Sequence, residues 1–345
     1  MTARMRQELE RLLAAWPEDP PRFRALCASV TRGEELVREA GEHGVLGVLQ
    51  EALADPGSPT LAWKRPLDEQ CIVQRLAQSG LVRLLDRALE ALAGAGIEVV
   101  ALKGPVLAER LFGDPTVRPS TDIDLLVAPH DLARALEVLS RAGLEQEPGA
   151  GEKYFREHHH HLHLHSPDRL VVELHFQLSS NFGAVMPAEE YLARAVEYRT
   201  RRGSLCRVLA LEDEVLYLAQ HAAGHGFTRL AWLYDLKMLL RQNPGLDWSC
   251  VRRRAAAAGV LVPLSFTLDV LRRRLGVEAA REGASEVGRF RRRRMARPLL
   301  GVMRSLARHG RAAKVAGLLY EASLADGSEA AIRLCRRRLA HWRAR

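Results

Sequence analysis

Cysteine pairs, aromatic residues and long apolar runs are scarce in this chain of 345 residues. No CxxC pair occurs among the five cysteines, which favours a reducing compartment such as the cytoplasm over a disulfide framework. No stretch of 18 uncharged apolar residues occurs either, so we expect no membrane span. The charged start of the chain predicts a helix rather than a signal peptide. The cysteines are Cys27, Cys71, Cys206, Cys250 and Cys335.

Positive charge is concentrated at the end of the chain. The net charge is +9, and the segment from Leu271 to Arg345 carries 20 lysines and arginines against 6 acidic residues. Such a basic region can bind nucleic acid, an anionic membrane surface or an acidic partner. The alternative is a solvated helical surface, which we favour because the chain has only 6% aromatic residues to stack on bases.

The predicted elements divide the chain into three parts. Helical periodicity predicts an N-terminal helical region over 1–94 and a C-terminal helical domain with a basic tail over 186–345. Residues 95–185 are expected to form the core, with strands over 97–102, 122–127, 157–165 and 170–176. A further short strand is predicted over 205–209. The expected class is α+β, with a small mixed sheet flanked by helical regions.

Two aspartates stand two residues apart inside the apolar stretch TDIDLLV, residues 121–127. Residues two apart in a strand point to the same face, so Asp122 and Asp124 project together while Ile123 faces the core. Two carboxylates this close repel each other unless a cation lies between them. Since all-oxygen ligands suit Mg²⁺ best, this pair is the first candidate metal site.

A histidine tract precedes the last predicted core strand. Six of the eight residues over 158–165 are histidines, and imidazoles two apart on a strand can bind Zn²⁺. A two-residue turn at Pro167 and Asp168 would pair Glu173 with Leu162 and turn the odd-numbered histidines away from Glu173. A slip of one residue reverses this, so a metal or substrate role for the tract stays open. In the first register His160 and His175 share the Glu173 face.

The order of elements around the aspartates carries a family resemblance. The segment LKGPVLAERLFGDPTVRPSTDIDLLV, residues 102–127, places Lys-Gly and a short helix before the aspartate strand. This order resembles the nucleotidyltransferase core of the DNA polymerase β superfamily. More narrowly, it is similar to a bacterial nucleotidyltransferase-like family with the pattern LKG…RPxxDIDLLV. Weaker similarity continues through VELH (172–175) and the segment 221–235.

The resemblance implies a nucleoside triphosphate substrate, ATP among the candidates, and two Mg²⁺ ions, with Mn²⁺ as an alternative. One ion would gather the triphosphate oxygens, and the other would lower the pKa of an attacking hydroxyl. Asp122 and Asp124 would be the metal ligands and catalytic residues. Glu173 would complete the set from a neighbouring strand, where many members of the superfamily have Asp.

The resemblance also implies a phosphate-binding set. Gly104 would open a helix whose free N–H groups and dipole favour phosphate. The superfamily commonly has Gly-Ser at this turn, whereas this chain has Pro105, so contact would come from the backbone or from Lys103. Arg118 would be a second clamp, with Ser120 beside it. The alternatives are a Lys103–aspartate ion pair and an Arg118 that only fixes its loop.

Candidates for the acceptor side are His175, His221 and Asp235. His221 and His225 lie four residues apart at the end of one predicted helix, and Asp235 lies on the next. In the enzyme interpretation His221 or Asp235 acts as a base. The alternative is polar contact between the helices and the core. No HExxH motif accompanies these histidines, so a zinc protease is not supported.

The sequence therefore predicts a Mg²⁺-dependent nucleotidyltransferase. It would move NMP from an NTP to a hydroxyl or phosphate of an unknown small-molecule, peptide or sugar acceptor. A nucleic-acid acceptor such as tRNA, held by the basic C-terminal region, is an alternative that salt-dependent binding would reveal. A catalytically silent binding or scaffold protein and a histidine-based metal hydrolase are the remaining alternatives.

Overall fold

Helices surround a seven-stranded sheet in the computed structural model of the chain. The model describes residues 3–54, 57, 59–146, 160–184, 186–288, 293–305 and 311–343. The α-helices of these residues are α1 (Ala3–Ala15), α2 (Pro20–Ala28), α3 (Gly33–Glu42), α4 (Leu46–Ala52), α5 (Lys64–Gly94), α6 (Pro105–Phe112), α7 (Leu132–Arg141), α8 (Ala188–Arg194), α9 (Leu211–Gly224), α10 (Leu230–Gln242), α11 (Trp248–Ala258), α12 (Leu261–Leu275), α13 (Ala279–Val287), α14 (Arg293–Ser305), α15 (Arg311–Ser323) and α16 (Ser328–Arg343). Within the described ranges, no helix combines the length and the apolarity that crossing a bilayer requires.

The larger sheet is mixed. Its strands are β1 (Val100–Ala101), β2 (Asp122–Leu126), β3 (Glu145–Gln146), β4 (His161–His165), β5 (Val171–His175), β8 (Val196–Arg199) and β9 (Leu205–Val208), and a separate pair is formed by β6 (Gln177–Ser179) and β7 (Met186–Pro187). The strands of the larger sheet occur in the order β3-β4-β5-β2-β1-β9-β8, with β2 parallel to β5, β1 parallel to β9 and the other neighbours antiparallel. The predicted α+β class is confirmed.

The two faces of the sheet differ because side chains alternate along each strand. Ile123 and Leu125 of β2 are buried in one hydrophobic cluster with α5 and α7, together with Leu162 of β4 and Leu174 of β5. The intervening side chains, which include Asp122 and Asp124, therefore project from the opposite face. The alternation thus separates an apolar face, covered by helices, from a face that carries the titratable groups.

The N-terminal helices pack on the C-terminal ones beside the sheet. Lys237 of α10 is buried, and its Nζ donates to the carbonyl oxygens of Leu13 at 2.6 Å and Trp16 at 2.7 Å. Carbonyls at the end of a helix lack partners within the helix, and a cation stabilises them. Glu18 balances the charge with its Oε2 at 2.6 Å from Nζ. This lysine ties the end of α1 to α10.

The β4–β5 hairpin has the slipped register, and the register expected from a two-residue turn is wrong. Arg169 takes a left-handed conformation at φ 61°, and the backbone N–H of Ser166 donates to Leu170 O at 2.9 Å. The loop is therefore three residues long, a common hairpin form that ends in a left-handed residue. His163 consequently pairs with Glu173, and His161 with His175. His158 and His159 lie outside the described residues.

Candidate active site

The polar face of the sheet forms the floor of a cavity of about 310 Å³. Strands β2 and β5 are neighbours and parallel, and their register places Asp124 beside Glu173. Helices α9 and α10 supply the facing wall through Tyr217, His221 and Trp232. Eight of the predicted site residues line this cavity, namely Lys103, Arg118, Ser120, Asp122, Asp124, Glu173, His175 and His221.

Lys103 lies directly against the aspartate pair. Its Nζ is 2.9 Å from Asp124 Oδ1 and 3.9 Å from Asp122 Oδ1. Burial would lower the pKa of Lys103, but the Asp124 and Asp122 carboxylates outweigh it and raise the pKa. The ion pair that we named as the alternative to phosphate contact is therefore present in the structure.

The carboxylate oxygens can accept more hydrogen bonds than the neighbouring donors supply. Asp124 is buried, and its Oδ2 has no hydrogen-bond partner among the described residues. Its Oδ1 lies 3.2 Å from His175 Nε2, and ligand atoms of Asp124, Glu173 and His175 lie within 4.8 Å of one another. Burial and the charge of Asp124 both raise the pKa of Asp122. An unpartnered buried oxygen beside a second carboxylate fits a divalent cation.

Glu173 is surrounded by imidazoles. Its Oε1 lies 3.4 Å from His163 Nε2 and 3.9 Å from His161 Nε2, and its Oε2 lies 3.5 Å from His175 Nε2. Burial would raise the pKa of Glu173, but hydrogen bonds to His163 and His175 outweigh it and lower the pKa. Burial and the neighbouring His175 lower the pKa of His161 to about 3, so His161 is neutral at pH 7. These contacts depend on the slipped register.

The loop before β2 is held by a buried network. Arg118 donates through Nε to Asp235 Oδ2 at 2.9 Å and through Nη1 to Ser120 Oγ at 2.8 Å. Both amide atoms of Gln78 bond the backbone of Ser120, at 2.9 and 3.0 Å. Asp235 therefore lies behind Arg118 and does not line the cavity. Gln78 was not predicted as a buried partner of this loop, because a polar residue in the sequence of a long helix usually faces solvent.

Gly104 lies beneath the aspartate strand rather than on the cavity wall. Its φ of 71° is left-handed, and a Cβ there would lie 3.3 Å from the carbonyl oxygen of Asp122. Glycine alone adopts this conformation at little cost. It is the N-cap of α6, so it positions Lys103 and the helix start against β2.

The wall opposite the carboxylates is aromatic. The rings of His221 and His225 lie 5.1 and 4.9 Å from the Trp232 ring, and Tyr217 lies beyond His221 at 6.3 Å. Burial lowers the pKa of His221 well below its ordinary value, so it is neutral at pH 7. Arg229 also lines the cavity and forms no ion pair with a described residue. Tyr217 and Arg229 were not predicted, because Tyr217 lies outside the family pattern and Arg229 was not singled out within the weakly similar segment 221–235.

Part of the basic C-terminal region packs beside the cavity. Arg333 of α16 donates to the carbonyl oxygen of Gly183 at 3.3 Å, and Arg337 donates to that of Ser180 at 2.5 Å. A Cβ at Gly183 would lie 2.1 Å from the carbonyl oxygen of Ala330, so the helix approaches the backbone closely. These two arginines therefore stabilise the contact between α16 and the backbone of residues 180–183. A nucleic-acid partner for this region stays a prediction.

Comparison with known proteins places the chain in a family. Residues 30–276 match the model of a family described as uncharacterised nucleotidyltransferase. The match covers well over half of the chain, so the protein belongs to this family. It includes the aspartate strand, β5 and the aromatic wall, and it also includes α5 with Gln78. No curated protein matches the chain.

Proposed function

We propose that this protein is a divalent-cation-dependent nucleotidyltransferase that moves NMP from an NTP to a hydroxyl or phosphate of an acceptor. One observation carries the proposal. Asp122, Asp124 and Glu173 come from adjacent parallel strands and line one cavity, in a member of a nucleotidyltransferase family. The unpartnered Oδ2 of Asp124 supports a cation at this position.

The three carboxylates are the residues that would hold Mg²⁺. When bound, Mg²⁺ would gather the triphosphate oxygens and lower the pKa of an attacking hydroxyl. The β2–β5 ladder holds Asp124 and Glu173 side by side, so the strands preorganise the ligands. Lys103 offsets part of their negative charge.

Cationic side chains on two sides of the cavity can contact phosphate. Arg229 lies on the helical side with its guanidinium free of ion pairs to described residues. It is therefore the better phosphate clamp, because the Arg118 guanidinium already bonds Asp235 and Ser120. Lys103 already contacts Asp124 Oδ1 at 2.9 Å, and the remaining N–H donors of its ammonium group can meet phosphate.

The aromatic wall suits a planar group of the nucleotide or the acceptor. Tyr217 and Trp232 line the cavity with their rings 6.3 and 5.1 Å from the His221 ring, and His221 is neutral. A neutral imidazole can accept a proton from an attacking hydroxyl, which gives His221 the acceptor-side role. Asp235 is committed to Arg118 and acts through it as a positioning residue.

The test is transfer of labelled NMP in the presence of Mg²⁺. The full chain is incubated with each NTP and with small-molecule, peptide and RNA fractions as acceptors. We expect label in one acceptor fraction with wild type and at least about 10²-fold less with Asp122→Asn. Arg141→Gln, at an exposed pair with Glu137, is the matched control. Equal transfer by wild type and Asp122→Asn would contradict the proposal.

A further inference from the structure

A second donor set lies beside the carboxylate pair, on strand β4. His161 Nε2 lies 3.0 Å from His163 Nε2, and both face Glu173 Oε1, at 3.9 and 3.4 Å. We propose that His161, His163 and Glu173 form a site for a first-row transition metal of the Zn²⁺ class. This site shares Glu173 with the all-oxygen set that would hold Mg²⁺, and its two imidazoles lie outside that set.

The spacing of the three donor atoms fits such an ion. Zn–N and Zn–O bonds of about 2.0–2.1 Å in a tetrahedron place neighbouring donors about 3.3 Å apart. The three observed separations, 3.0, 3.4 and 3.9 Å, bracket that value. The atoms therefore need only small side-chain adjustments to bind one ion.

The chemistry of the donors separates this site from its neighbour. Imidazole nitrogens suit Zn²⁺ and Co²⁺, whereas Mg²⁺ prefers oxygen ligands and keeps several waters. Glu173 directs Oε1 toward His161 and His163 and Oε2 toward His175, which lies beside Asp124. One carboxylate thus stands between a nitrogen-rich set and an oxygen-rich set.

The site is both rigid and accessible. His163 pairs with Glu173 in the β4–β5 ladder, and His161 is two residues away on the same face. The His163 side chain is 36% exposed, and His161 lines the cavity. An ion can therefore reach the three donors, and a fourth coordination position stays open to water or substrate. Three protein ligands with an open position are typical of catalytic zinc sites.

This inference does not require the proposed function to be correct. The metal can bind even if the protein transfers no nucleotide, because two of its three ligands, His161 and His163, are not among the carboxylates that would hold Mg²⁺. The variant Asp122→Asn distinguishes a failure of the proposed nucleotidyl transfer from a failure of the transition-metal site. It should abolish NMP transfer and leave the transition-metal site intact.

The test is Co²⁺ binding by the full chain without a purification tag. After removal of metal with a chelator, Co²⁺ is added in the presence of excess Mg²⁺, and visible absorbance reports Co²⁺ held in a four-coordinate site. We expect saturation at about one ion per chain. Zn²⁺ added afterwards should abolish the Co²⁺ spectrum, and bound Zn²⁺ is then measured by elemental analysis.

The variants locate the ion. His163→Gln, at a partly exposed position, and the double variant His161→Ala/His163→Ala should each weaken binding at least about tenfold. His165→Ala is the matched control, since it removes a histidine from the same face of the same strand outside the cluster. Circular dichroism of each variant verifies folding. Full Co²⁺ binding by folded His163→Gln, or absence of tight binding by wild type, would overturn the inference.

Discussion

Replacement of Arg118 by Met tests whether the loop before the aspartate strand is held by a buried ion pair. The Arg118 and Asp235 side chains are only 5% and 1% exposed, and their atoms meet at 2.8, 2.9 and 3.2 Å. Burial raises the pKa of Asp235, and the Arg118 charge opposes that rise. Removal of the guanidinium would therefore leave a buried carboxylate without its counter-charge.

The expected cost is large. Breaking a buried ion pair from one side costs about 3–5 kcal/mol, because the remaining charge is desolvated and unpaired. We expect Arg118→Met to lower the free energy of unfolding by about this amount. The measurement is urea denaturation followed by circular dichroism. The loss of the Arg118–Ser120 bond at 2.8 Å adds to the effect.

Two further variants distinguish the effect of breaking a buried ion pair from the effect of removing any arginine charge. Arg118→Met/Asp235→Leu removes both charges and should recover most of the lost stability, since apolar replacement of a whole buried pair is often neutral. Arg141→Met breaks the exposed pair with Glu137 and should change stability by less than about 1 kcal/mol. A loss below about 1 kcal/mol for Arg118→Met would refute the reasoning.

Three other substitutions probe the cavity and its supports. Arg229→Gln should raise the KM for NTP about tenfold with an unchanged melting temperature, and an unchanged KM would remove it from the phosphate site. Gly104→Ala should lower stability by about 1–2 kcal/mol in urea denaturation, because its φ is 71° and Asp122 O lies 3.3 Å from the new Cβ. Gly183→Ala should loosen α16 and speed its limited proteolysis, since the new Cβ would lie 2.1 Å from Ala330 O; wild-type cleavage rates would contradict this.

Local sequence patterns were sufficient to predict the central strand and the helical regions. Alternation in TDIDLLV predicted both the buried Ile123 and the paired aspartates, because a strand has a strict period of two. Helix α11, Trp248–Ala258, lies within the region 186–345 that helical periodicity predicted. In contrast, the exposed edge strand β8 was missed, since four residues without a buried face carry little pattern.

The rest of the site depended on tertiary contacts that no local pattern encodes. One additional loop residue, Arg169 in a left-handed conformation, moved His161 and His163 to the Glu173 face. A non-glycine residue seldom adopts this conformation, so the turn length was not predictable from composition. Likewise, Gln78 meets Ser120 across 42 residues of chain, a pairing that only packing of α5 against the loop creates.

The fate of the α- and γ-phosphates of the NTP tests the central claim most directly. The protein is incubated with Mg²⁺, acceptor and NTP that carries radioactive phosphorus at either the α- or the γ-phosphate. Nucleotidyl transfer predicts the α-label in the acceptor and the γ-label in pyrophosphate, and both products should disappear with Asp122→Asn and Asp124→Asn. A γ-label in the acceptor, or free γ-labelled phosphate with no α-labelled acceptor, would contradict the account.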